Sequence, residues 1–115
     1  MSKNIDKSIT ETLMLLGVAP NVKGFHYLRK GIQLYVQLVE TDPEIVRSVY
    51  TAAAEEFGTT RSSVERAIRH AIQSGWSRRS RDLSDQIFGF CLQSSDDVPT
   101  NHLFISAVGE WLRKQ

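Results

Sequence analysis

Apolar residues recur at helical spacing along almost the whole chain, and nowhere do they alternate as a half-buried strand requires. Phe25, Leu28, Ile32, Tyr35 and Val39 form one such run, and Val46, Val49, Tyr50, Ala53 and Phe57 form the next. The pattern resumes with Val64, Ile68, Ala71 and Ile72, then with Leu83, Ile87, Phe88 and Cys91. Leu103, Phe104, Ala107, Val108, Trp111 and Leu112 close the chain in the same way. With the opening stretch at about 5–16, the periodicity predicts an all-α fold of six helices.

Turn and cap residues fall where the periodic runs stop. Gly17, with Pro20 three residues on, ends the first helix. Asp42 before Pro43 reads as an N-cap with proline at the first helical position, and Thr41 with Glu44 offers a capping box instead; either starts a helix over about 43–57. Gly58 supplies a left-handed stop, and Thr60, or Ser62 with Glu65, restarts the chain as a helix over about 61–76. Val98, Pro99 and Thr100 introduce the last helix, while 77–80 and 94–97 are polar connectors.

A chain of 115 residues, 41% apolar and 23% charged, has the length and composition of a single domain spanning 1–115. Its longest apolar stretch, 13–19, is far shorter than the roughly 20 residues that span a bilayer. A soluble, cytoplasmic protein with no membrane partner is expected. Cys91 is the single cysteine, so no internal disulfide is possible, and its place on an apolar stripe predicts a buried, inert thiol.

The near-neutral total of +1 hides an uneven distribution. Residues 61–81 hold six arginines and one acid, Glu65, for a segment charge of +5, and the rest of the chain sums to −4. On a wheel of 100° per residue, Ala67, Ile68, Ala71 and Ile72 fall within about 80° of Val64, and Arg66, Arg69, His70 and Gln73 fall opposite. Such a helix packs by one face and presents guanidiniums, an imidazole and an amide by the other. Arg forks guanine O6 and N7, Gln pairs with adenine, and His or Ser holds phosphate oxygens. The short turn at Gly58 between this helix and the one before it is a helix-turn-helix arrangement, in which the second helix enters the major groove. Pattern alone leaves two readings open: DNA binding, or a helical adaptor that binds an acidic protein through Arg66, Arg69, Arg78 and Arg79.

Enzymatic chemistry finds no foothold in the sequence. His26, His70 and His102 are far apart and none sits at metal-ligand spacing from a Cys, Asp or Glu. The seven glycines are scattered singly, which rules out a phosphate-cradling loop. Glu55–Glu56 and Asp96–Asp97 read as a solvated helix face and a loop, and Tyr27 and Trp76 as packing residues. No cofactor and no metal are expected.

The stretch V-E-R-A-I-R-H at 64–70, followed by W-S-R at 76–78, resembles the C-terminal DNA-binding effector domain of the master sporulation response regulator, the stage 0 sporulation protein A family. The likeness continues in order through K-N-I-D-K-S-I-T at 3–10, L-G-V-A-P at 16–20, K-G-F-H-Y-L-R at 23–29, F-G-T-T at 57–60, I-F-G-F at 87–90 and P-T-N at 99–101. The resemblance implies a six-helix domain whose third and fourth helices form the helix-turn-helix, and a transcription regulator that activates or represses promoters carrying TGTCGAA-type boxes, often in tandem. It implies that Arg66 reads a base edge, with Glu65, Arg69 and His70 on bases or phosphates around it. Arg61, Ser62, Ser63, Gln73 and Arg78 complete the expected DNA-binding set. It further implies that 79–92 contacts the sigma subunit of RNA polymerase. One recognition helix buries little surface and makes few phosphate contacts, so dimeric or tandem occupancy on DNA is expected.

Two departures from the family pattern stand out. The family usually has an arginine immediately before V-E-R; here that place holds Ser63, with Arg61 two positions earlier, which predicts an altered or relaxed box partly compensated by Arg61. The family also normally joins this domain to an N-terminal phosphoacceptor receiver, and nothing in these residues supplies one.

Overall fold

The computed structural model describes residues 2–89, 92 and 97–115, with only the backbone of Ser2 and Lys3. Among these residues it has six α-helices: α1 (Ser2–Leu15), α2 (Lys23–Leu38), α3 (Ile45–Phe57), α4 (Arg61–Gly75), α5 (Arg81–Phe88) and α6 (Asn101–Arg113). A single 3-10 turn, Trp76–Arg78, joins α4 to α5. No strand occurs among the described residues, as the unbroken helical periodicity predicts.

Each helix is bounded by chemistry readable in its residues. Gly17 takes φ +88°, and the N–H groups of Gly17 and Val18 donate to the carbonyls of Met14 and Leu13, which absorbs the last free carbonyls of α1. Gly58, at φ +66°, ends α3 in the same left-handed conformation; its N–H and that of Thr59 both reach the Ala54 carbonyl. Thr60, rather than Ser62, caps α4, its hydroxyl accepting from the Ser63 N–H at 3.1 Å. Ser80 and Thr100 cap α5 and α6 through the N–H groups of Leu83 and Leu103. Caps of this kind contribute about 1 kcal/mol each.

The third helix begins at Ile45, two residues later than the sequence reading. The Asp42 carboxylate takes the Glu44 N–H at 3.1 Å, and the Ile45 N–H reaches the Asp42 carbonyl at 3.0 Å. Glu44 at φ −93°, ψ 9° has the third-residue geometry of a type I turn, so Pro43 serves the turn instead of the helix. The fifth helix ends at Phe88, short of the run expected to reach Cys91; Phe90, Cys91 and 93–96 lie outside the described residues.

Helix α2 is the hub, packed against α1, α3, α4 and α6. Small residues bring the helices close. A Cβ at Gly24 would lie 2.3 Å from the Ala67 carbonyl oxygen of α4, and one at Gly109 of α6 would lie 2.2 Å from the Tyr35 ring. The fully buried Ile9, Leu13, Leu28, Ile32, Ile68, Phe88, Phe104 and Ile105 fill the centre, each favouring the fold by roughly 1.5–3 kcal/mol of hydrophobic transfer. The rings of Trp76, Phe88 and Phe104 continue this core beneath α5, with centroids 5.6 and 5.7 Å apart.

Candidate nucleic-acid interface

Helices α3 and α4, joined through Gly58, Thr59 and Thr60, form the helix-turn-helix. The inner face of α4 is buried through Val64, Ile68, Ala71 and Ile72, which holds the helix in place against α2, α3 and α6. Tyr50 of α3 and Arg61 of α4 brace the pair, with the guanidinium 5.6 Å from the ring centroid and paired to Glu65 at 3.2 Å. Burial, then the nearby Glu65 charge, raises the Tyr50 pKa, and Arg61 counteracts it in part. The phenol stays neutral around physiological pH.

The six arginines of the basic segment have different fates. Arg79 is 6% exposed; it donates to the Trp76 carbonyl at 2.8 Å and to the Ser84 hydroxyl at 3.0 Å, and lies 4.3 Å from the Trp76 ring centroid. It therefore belongs to the interior, and an adaptor face that includes Arg79 is ruled out. Arg78 donates to the carbonyls of Ser74 and Gly17. Arg69 is half-buried and donates to the Pro99 carbonyl at 2.8 Å. Arg61 is paired as above, and Arg81 is also engaged. Among the described residues, Arg66 alone of the six is exposed with no hydrogen bond or ion pair.

Around Arg66 the outer face carries Ser62, His70 and Gln73, all exposed. Positions 62, 66, 70 and 73 follow one another at helical spacing, so their side chains line a strip about 16 Å long. Ser63 is half-buried and its hydroxyl accepts from Thr60 at 2.9 Å, which makes it part of the cap. Glu65 is half-buried beside Arg61, and its backbone carbonyl accepts from the Asn101 amide at 3.0 Å. The nine expected residues thus share one helix and the turn after it, but they divide into a free strip and a set held by the protein itself.

Two neighbours border the strip, and neither belongs to the DNA-binding set expected from the sequence. Along one edge Pro99 and Asn101, at the start of α6, bind Arg69 and the backbone of Glu65. Along the other edge, the first turn of α2 packs through Gly24 onto Ala67 and Ala71. The signal for the first was present in P-T-N, whose carbonyl and amide make these bonds. The second lay in the acid-free run 23–30, which holds Lys23, Arg29, Lys30 and His26.

Among the described residues, no cluster of three or more His, Cys, Asp or Glu could hold a metal ion, and no helix is long and apolar enough to cross a membrane. An all-helical fold that seats the second helix of a helix-turn-helix with its cationic face outward has the build of a DNA-binding regulator. The family model described as "Sporulation initiation factor Spo0A C terminal" matches residues 9–112, and the chain belongs to that family. It is a DNA-binding, transcription-regulating domain of the sporulation response regulators, a regulatory family rather than an enzyme family.

Proposed function

We propose that α4 is the recognition helix of a sequence-specific, cytoplasmic regulator of the sporulation-initiation type, and that Arg66 is its principal base-reading residue. The observation that carries this reading is the exposed, uncommitted guanidinium of Arg66 at the centre of a polar strip whose opposite face is buried. Its fork matches guanine O6 and N7 in the major groove. Gln73 and His70 extend the readout along the groove, and Ser62 at the helix start suits a phosphate oxygen.

The engaged residues take positioning roles in this reading. Arg61, steadied by Glu65, braces α4 against Tyr50 of α3, and Arg69 ties α4 to the α6 entry. Arg78 secures the end of α4 to the chain at Gly17. Ser63 stands where the family usually has arginine, and a capping hydroxyl does not fork a guanine. The box is accordingly a relaxed variant of the TGTCGAA type. One recognition helix makes few phosphate contacts, so occupancy is tandem or dimeric on DNA. Within 79–92, the buried Arg79 and Phe88 are excluded as contacts, and among the described residues α5 offers the exposed Arg81, Asp82, Asp85 and Gln86 to the sigma subunit.

A gel-shift comparison of one family-type box, two tandem boxes and a scrambled duplex at fixed salt tests the reading. Preference for the box, strengthened by the second copy, is expected. Equal binding to all three would return the basic face to a non-specific or protein-binding role.

A further inference from the structure

Beside the strip on α4 lies a concavity of about 370 Å³ lined by Lys23, His26, Tyr27, Phe57, Gly58 and Thr59. It spans the start of α2 and the turn of the helix-turn-helix, so it opens where α4 begins. No carboxylate lines it. Lys30, one helical turn beyond His26, is paired with Glu56 at 2.8 Å, but among the described residues Lys23 has no ion pair or hydrogen bond. Phe57 forms an apolar wall, 43% exposed although its ring lies 5.3 Å from that of Tyr27.

An unpaired ammonium, an exposed imidazole and a threonine hydroxyl suit a phosphate oxygen, and the aromatic wall beside them suits the carbon face of the attached sugar. The location narrows the source. Gly24, next to Lys23, lies against the backbone of Ala67, and Ala67 adjoins Arg66. The sugar–phosphate backbone flanking a groove entered by α4 would run along this edge of the helix, where Lys23 is exposed.

We infer that Lys23, His26 and Thr59 form a DNA-backbone site that clamps a phosphodiester flanking the groove occupied by α4. This inference rests on the DNA reading above and adds to it a sequence-independent anchor outside the helix-turn-helix, contributed by α2. Such a contact sets register and affinity without selecting bases.

The double variant Lys23→Gln/His26→Gln tests it, measured by fluorescence anisotropy against a family-type box and a scrambled duplex across a salt series. Both side chains are exposed, so the thermal midpoint is expected to stay within a few degrees of the parent. Affinity should fall on the order of three- to tenfold at low salt on both duplexes alike, and the log–log salt slope should become shallower by about one. An unchanged slope, or a loss confined to the family-type box, would overturn the site. Arg66→Ala measured in parallel separates the two claims: retained box preference defeats base reading by Arg66, whereas a shallower slope in the double variant still upholds the clamp. Inorganic phosphate at constant ionic strength is the remaining arm, read on the His26 ring signals of the DNA-free protein. No saturable shift is expected, and saturation at millimolar phosphate would reassign the hollow to a small anion and overturn the DNA-backbone assignment.

Discussion

The guanidinium of Arg69 donates to the Pro99 carbonyl at 2.8 Å, which fastens the middle of α4 to the residues that lead into α6. A side chain on the polar side of an amphipathic helix thus spends part of its hydrogen-bonding capacity inside the protein. Arg69→Ala should cost about 1 kcal/mol, because it removes one charge-assisted bond that is only half-buried. In a domain of this size that is a fall of roughly 5 °C in the thermal midpoint. An unchanged midpoint by circular dichroism would show that the bond is not maintained in solution.

Gly17 and Gly75 meet backbone to backbone. A Cβ on either would lie 2.0 Å from the carbonyl oxygen of the other, and neither oxygen can swing away as a flexible side chain would. Gly75→Ala is expected to destabilise by about 1–3 kcal/mol through overpacking. Gly17→Ala should cost more, since φ +88° adds backbone strain to the clash. Denaturant unfolding of the two variants would rank them, and a Gly17→Ala protein as stable as the parent would contradict the close approach.

Tyr35 donates to Glu110 at 2.6 Å, and the pair joins α2 to α6. Burial, reinforced by the bond to Glu110, raises the phenol to about 12. The bond from Tyr35, aided by Arg113, holds the carboxyl below its ordinary value of 4.5. A lowered carboxyl stabilises the fold above its unfolded pKa and loses that contribution as pH falls through the folded value; a raised phenol stabilises below pH 10.0 and loses it as pH rises through about 12. Tyr35→Phe should therefore cost on the order of 0.5–1 kcal/mol near neutrality and flatten both limbs of the stability–pH curve. Steeper limbs in the variant would refute the assignment.

Ser63→Arg restores the residue that the family usually has before V-E-R. The Thr60 hydroxyl accepts from the backbone N–H at position 63 in either case, so the cap survives. Recovery of one bidentate contact should tighten discrimination for the TGTCGAA-type box by about 1–3 kcal/mol. Selection from a random duplex pool is the measurement, and identical stringency in parent and variant would remove Ser63 as the cause of a relaxed box.

Helix number, the buried face of α4 and the left-handed Gly58 were legible because each depends on residues within one or two turns of one another. The helical wheel does not show which arginine is free; only the family resemblance pointed to Arg66. Arg66 and Arg69 look equivalent on a helical wheel, and only the path of the chain at Pro99, thirty residues on, separates them. Arg79 differs for a related reason: a charged residue in a polar connector reads as solvated, whereas here the 3-10 turn folds its guanidinium over Trp76. The start of α3 was ambiguous because Asp-Pro serves a type I turn as well as a helix N-terminus. The contribution of α2 beside α4 was hidden because Lys23 and His26 belong to a helix whose apolar stripe marks it as core.

The most direct test of base reading is the affinity of the Arg66→Ala protein for a family-type box and for duplexes with each base pair changed in turn, at one salt concentration. The parent should lose about 1–3 kcal/mol at one guanine position, and Arg66→Ala should bind that duplex and its altered partner alike while keeping the other preferences. An equal loss on every duplex, scrambled sequence included, would contradict it.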